Sequence, residues 1–72
     1  MKIPIGEYEV ELRENYDLRE DCECCESLAC FELRIANGRA VACEDEKHQE
    51  NAAAIAVDRA HASRTAAIDK TF

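Results

Sequence analysis

Leu28-Ala-Cys-Phe-Glu-Leu-Arg-Ile-Ala-Asn-Gly-Arg-Ala-Val-Ala-Cys-Glu44 is the stretch whose reading decides the fold. Apolar and polar residues alternate on either side of Asn37-Gly38, which is the period of strands with one buried face. Asn-Gly is a strong two-residue hairpin signal, because both central positions of a type I′ turn need positive φ. A turn at that point sets Ile35 opposite Ala40, Leu33 opposite Ala42 and Phe31 opposite Glu44. Phe31, Leu33, Ile35, Ala40 and Ala42 then share the core face, and Cys30, Glu32, Arg34, Val41 and Cys43 share the other. A slip of one residue would exchange the faces of one strand.

C-terminal to the hairpin, from about Glu46 to Asp69, the chain becomes alanine-rich and contains neither Gly nor Pro. Alanine is the best helix former. Glu44, Asp45 and Glu46 suit the positive end of a helix, and Lys70 suits its negative end. Ala53, Ala56, Val57, Ala60, Ala67 and Ile68 form a stripe at helical spacing whose small side chains let a helix lie close on a sheet. N-terminal to the hairpin, Asn15 to Ser27 has no period and reads as a loop. Before it, Tyr8, Val10 and Leu12 alternate with Glu7, Glu9, Glu11 and Arg13, which predicts a further strand. Pro4 and Gly6 fit a strand entry or a bulge near a sheet edge. The expected fold is α+β. It is one β–loop–β–β–α domain over residues 1–72, a three-stranded antiparallel sheet with one long C-terminal helix packed on one face.

Seventy-two residues make a thin core, and chains of this size often add a disulfide, a metal or an oligomeric contact. A monomer or a homodimer fits that margin. The charge is lopsided: residues 1–50 hold 14 Asp/Glu against 6 Lys/Arg, whereas residues 51–72 hold 2 against 3. Such a field repels nucleic acid and anionic membrane and attracts basic protein surfaces, besides keeping the protein soluble. No apolar run approaches the roughly 18 residues of a membrane span, and the N-terminus lacks the apolar stretch of a secretory signal. Five cysteines fit poorly with a fully paired disulfide framework, so a reducing, cytoplasmic setting is expected.

No catalytic constellation emerges. His48 and His61 are the two histidines, and neither has the nucleophile and orienting group of a covalent mechanism around it in sequence. The carboxylates fall mostly at exposed alternating positions, and two glycines cannot build a phosphate loop. The expectation is a non-enzymatic protein.

The cysteines carry the sharpest chemistry. Cys22 and Cys25 form a C-x-x-C pair, followed by Cys30, Cys43 and His48. Zinc takes tetrahedral thiolate and imidazole ligands, and a loop pair joined by two distant ligands builds such a cage. The hairpin register sets Cys30 beside Cys43, so the candidate site is Cys22, Cys25, Cys43 and either Cys30 or His48. The competing reading is that some of these cysteines are small buried apolar residues and the rest free thiols. A thioredoxin-like site would need a C-x-x-C opening a helix in a βαβ context, which is missing here.

The acids supply a second candidate site. Glu7, Glu9 and Glu11 on the first strand and Asp17, Glu20, Asp21, Glu23 and Glu26 in the loop would present carboxylates to a basic partner surface. The short chain opening Met-Lys-Ile-Pro-Ile-Gly-Glu-Tyr, the acidic strand, the Asn-Gly hairpin and the Ala-rich helix resemble small phage and mobile-element inhibitors of the anti-CRISPR type. That resemblance implies binding to a host Cas protein or surveillance complex and blocking its access to DNA. Three readings follow: an acidic inhibitor of this kind, a zinc-stabilised binding module with a Cys-rich recognition loop, and a regulator contacting its partner through Arg59, His61 and Arg64.

Overall fold

The computed structural model describes the backbone of residues 1–69 and the side chains of residues 1–62. Strands β1 (Lys2–Ile5), β2 (Tyr8–Glu14), β3 (Phe31–Ile35) and β4 (Gly38–Ala42) precede helix α1 (Glu46–Asp69). The sheet is an antiparallel meander in the order β1-β2-β3-β4. The architecture is therefore the expected α+β arrangement with one strand more than the sequence reading allowed.

The extra strand is β1. Gly6 adopts φ 59° in the two-residue turn that sets Ile5 against Tyr8, a conformation glycine enters without steric cost. Ile3 and Ile5 pack against the core from one face of β1. Pro4 has no amide proton to contribute, which an edge strand tolerates. Four residues interrupted by proline carry too little alternation to announce themselves.

The hairpin turn also differs. It lies at Ala36-Asn37, with Ala36 at φ 48°, and pairs Ile35 with Gly38, Leu33 with Ala40 and Phe31 with Ala42. The register is thus two residues away from the one Asn37-Gly38 implied, and a shift of two leaves the side chains within β3 and β4 on their expected faces. Gly38 serves another purpose. A Cβ there would overlap the carbonyl oxygen of Ala56 and lie 2.7 Å from the amide nitrogen of Ala60. Glycine at this position lets α1 rest directly on β4.

The core joins Val10 and Leu12 of β2, Leu33 of β3, Ala40 and Ala42 of β4, and Ala52, Ala53, Ala56 and Val57 of α1. Leu33 and Val10 are its largest fully buried side chains. Tyr8, expected on the buried face, is 43% exposed and meets His61 edge-on at 5.4 Å. Asp45 caps the helix: its carboxylate accepts the Lys47 amide at 2.9 Å, satisfying one of the unpaired first-turn donors. Ala67 and Ile68 of the stripe, Arg64, and Lys70 at the proposed helix end lie outside the described side chains. Among the described residues no helix is long and apolar enough to cross a membrane.

The free edge of β4 is covered. Val41 turns its amide and carbonyl outward, where the Glu23 carboxylate accepts the amide at 3.3 Å and the Glu23 amide donates to the carbonyl at 3.1 Å. The next outward carbonyl, of Arg39, accepts from Arg59 at 2.9 Å, and Arg59 closes the set with an ion pair to Glu23 at 2.7 Å. An exposed strand edge invites pairing with other chains, and these contacts remove it.

Candidate metal centre

The loop between β2 and β3 is ordered by its own backbone. The Asn15 side chain accepts the Asp17 amide at 2.9 Å, a local turn that side chains of this type favour. The loop then doubles back: Ala29 donates to Glu20 at 2.7 Å and Cys22 to Ser27 at 2.8 Å, around a bridge between Asp21 and Leu28. The tip of this excursion carries Cys22 and Cys25. Its two ends are tied to the sheet, Asn15 donating to Cys30 at 2.8 Å and Cys30 to Ala42 at 3.0 Å.

Tying the loop down brings Cys22 and Cys25 to the end of β4 and the first turn of α1, where they meet Cys43 and His48. Ligand atoms of these four residues all lie within 4.8 Å of one another. Cys25 Sγ is 3.8 Å from Cys43 Sγ, and His48 Nδ1 is 3.2 Å from Cys43 Sγ and 3.8 Å from Cys22 Sγ. A tetrahedral zinc cage has sulfur–sulfur edges of about 3.8 Å and sulfur–nitrogen edges of about 3.6 Å, given its bond lengths of about 2.3 and 2.0 Å. Of the observed spacings, Cys25–Cys43 equals such an edge and the two to His48 lie within about 0.4 Å of one, so the donor set is compatible with a zinc-sized, thiophilic cation.

The surroundings match as well. The Cys24 amide points at Cys22 Sγ, 3.4 Å away. On the far side of the imidazole, His48 Nε2 faces Asp45 Oδ2 at 4.0 Å, so the helix-capping carboxylate stands near the ring's other nitrogen. Outer contacts of this kind fix ligand orientation in metal sites. Gln49, buried, donates to the Cys43 carbonyl at 3.2 Å and holds the chain as it leaves β4.

The thiols are not equivalent. Burial pushes Cys22 up, but hydrogen bonds from the Cys24 and Cys43 amides and from Cys25 outweigh it and bring its pKa down to about 7. Cys43 is lowered by the Asp45 amide, yet burial and the neighbouring Cys22 and Cys25 sulfurs leave it raised overall. Cys24 is raised chiefly by burial, and Cys30 by burial and then by Glu44 and Glu14. The cluster thus offers one thiol ionised near neutrality, and a bound cation would draw the proton from its neighbours.

Of the cysteines proposed from the sequence, Cys22, Cys25 and Cys43 come together and Cys30 does not. The fourth position belongs to His48, the other candidate. The reason is where β4 stops. The sequence reading continued the strand to Glu44, which would have kept Cys43 beside Cys30 on the outer face. The strand ends at Ala42, so Cys43 swings out of the sheet toward the helix. Cys30 stays buried at the start of β3, bonded through its backbone to Ala42 and Asn15. Cys24 is exposed.

Several of the proposed acidic residues are paired with cations. Glu9 pairs with Lys2 at 3.5 Å and Glu11 with Arg13 at 2.9 Å. Glu20 makes a two-pronged contact with Arg39 at 2.6 and 3.1 Å, which holds its carboxyl below the usual range, and Glu23 is spent on the β4 edge. Glu7 sits in the β1–β2 turn, and Asp17, Asp21 and Glu26 are exposed on the loop. Gln49 and the Cys24 amide were not singled out by the sequence reading, and Asp45 was read only as an acid at the positive end of the helix. Asp45 alone carried a signal, as the residue type and position of a helix cap directly after Cys43. No protein-family model, curated protein or solved structure matches this chain.

Proposed function

We propose that this protein is a non-enzymatic binding module whose Cys-rich loop is fixed by one structural zinc ion, held by Cys22, Cys25, Cys43 and His48. The convergence of these four donors from three separate segments carries the reading. Four protein ligands close the tetrahedron and leave no position for water or substrate, which distinguishes a structural from a catalytic zinc site. The architecture explains the need for one. The core is built largely from alanines, and the loop of residues 15–30 is too polar to hold itself against the sheet by burial. Zinc bonds would join that loop to β4 and α1 at one point, leaving the outer surface of the loop as the recognition element.

The module's partner is a basic protein surface. An inhibitor of the anti-CRISPR type remains one such role, and the observation that favours it is the acidity of the loop: Asp17, Asp21 and Glu26 make no ion pair among the described residues.

Thermal unfolding followed by circular dichroism, with and without a strong chelator, tests the zinc reading. Chelation is expected to lower Tm by more than about 15 °C, the shift produced by losing about 3 kcal/mol in a domain of this size. A Tm insensitive to chelator would refute it.

A further inference from the structure

Two of the largest exposed apolar side chains, Tyr16 at 65% and Leu28 at 62% exposure, flank the same groove. It has a volume of about 440 Å³ and runs between the loop and the β4–α1 junction. Cys30 and Cys43 form part of its lining, and Glu44 and Asp45 stand on its rim. Glu14 and Glu44 both lie close enough to Tyr16 to raise its phenol pKa. No Lys or Arg lines the groove. Several acids elsewhere are matched with cations: Arg39 takes Glu20 and Glu32, Arg59 takes Glu23, Lys2 takes Glu9 and Arg13 takes Glu11. Glu14 and Glu44 have no such partner among the described residues.

The wall of the groove also offers backbone. The hydrogen bonds around the Asp21–Leu28 bridge run through Ser27 and Ala29, so the Leu28 amide and carbonyl face away from the 20–22 leg. Neither makes a backbone hydrogen bond among the described residues. An extended peptide would find there one residue of strand edge, beside an apolar side chain.

We propose that this groove docks an extended segment of a partner protein in which an apolar side chain is flanked by Lys or Arg. The apolar residue lies between Tyr16 and Leu28, and the flanking cations face Glu14 and Glu44. Acidic rims around an apolar contact select such a segment by charge and anchor it by burial. The inference rests on the zinc-module reading to the extent that the metal fixes Cys43 and the loop wall in place.

The test uses the full chain, with native mass spectrometry of every sample to establish its zinc content. An acetylated, amidated Lys-Ile-Lys-Leu-Arg peptide is titrated into ¹⁵N-labelled protein and amide shifts are followed. Shifts are expected at residues 14–17, 27–30 and 43–45. Glu44→Lys should weaken binding by about tenfold or more, and Leu28→Ser by about three- to tenfold, as loss of one charged and one apolar contact implies. The same peptide with Glu in place of Lys and Arg should not bind. Zinc-loaded protein that shows no shifts, or shifts on the outer face of the sheet, overturns the docking proposal and leaves the zinc reading standing. Protein that takes up no zinc when purified with zinc present, yet binds at these residues, refutes the zinc reading and supports the docking site. Concentration-dependent shifts of the same residues without peptide would assign the groove to a second copy of the chain and overturn the proposal.

Discussion

The cysteine-loop end of the molecule and the outer face of its sheet are both crowded with ionisable side chains, and they are organised in opposite ways. At the loop end, Cys22, Cys25, Cys43 and His48 arrive from three segments and converge within 4.8 Å. On the sheet, Glu9, Glu11 and Glu32 each stand next to a base from a neighbouring strand or position. Arg39 bridges Glu32 and Glu20, both at 2.6 Å, and Arg34 approaches Glu32 at 4.0 Å. Gathering thiols and an imidazole in a half-buried corner costs desolvation and leaves weak donors facing one another. A lattice of exposed ion pairs costs almost nothing and contributes little, about 0–1 kcal/mol per pair. Convergence is what a metal site would need; interleaving is what a solvated surface needs.

Breaking the converging set should have the largest effect. Cys43→Ser removes the ligand that links loop, strand and helix, and is expected to abolish zinc binding and destabilise the fold by about 3 kcal/mol or more. Cys30→Ser, a buried cysteine outside the cage, should keep the zinc and cost about 1 kcal/mol, the usual scale for a polar change at a small buried site. Equal loss of zinc in both variants, read by a metal-release assay, would erase the distinction between them.

Titration sharpens the same contrast. In metal-free protein the folded-state pKa of Cys22 is lowered from its ordinary value of 9.0 to about 7. The native state therefore binds fewer protons than the unfolded chain between those values. Its contribution to stability is complete above the unfolded pKa and is lost as pH falls through about 7. Cys24, Cys30 and Cys43 are shifted upward and do not share this window. In the metal-free protein the alkylation rate of Cys22 should level off at lower pH than that of Cys24, whose thiol is exposed but shifted upward.

Arg59→Ala lies between the extremes. Glu23 and Arg59 are charged, yet they cap the β4 edge, so the loss of hydrogen bonds to the Arg39 carbonyl and the Glu23 carboxylate is expected to cost about 1 kcal/mol, discounted for the half-exposed guanidinium. Denaturant unfolding checks it. The smallest effect belongs to the sheet lattice: Glu11→Gln should change stability by less than about 0.5 kcal/mol. A larger change would mean the outer face does more than stay solvated.

How much of this was legible in the residues depended on the range of the cause. The faces of β3 and β4 were readable because alternation survives a two-residue slip. The turn was not, because Asn37-Gly38 has a local reading, a turn, and a tertiary one, contact with Ala56 and Ala60, and the second prevails. β1 was hidden by its length and by Pro4. Three members of the candidate site were visible as C-x-x-C plus a distant cysteine. The choice between Cys30 and His48 was not, since it depends on β4 ending at Ala42, one residue before Cys43. The pairing of Glu23 with Arg59 joins residues 36 apart, and no local pattern records it.

Native mass spectrometry of the wild-type chain beside Cys43→Ser and Cys30→Ser tests the converging site most directly. A mass corresponding to one zinc per chain is expected in the wild type and in Cys30→Ser, absent from Cys43→Ser and lost on denaturation. A folded, metal-free wild type after purification with zinc present, or zinc retained without Cys43, would contradict the assignment of Cys22, Cys25, Cys43 and His48 as a structural metal site.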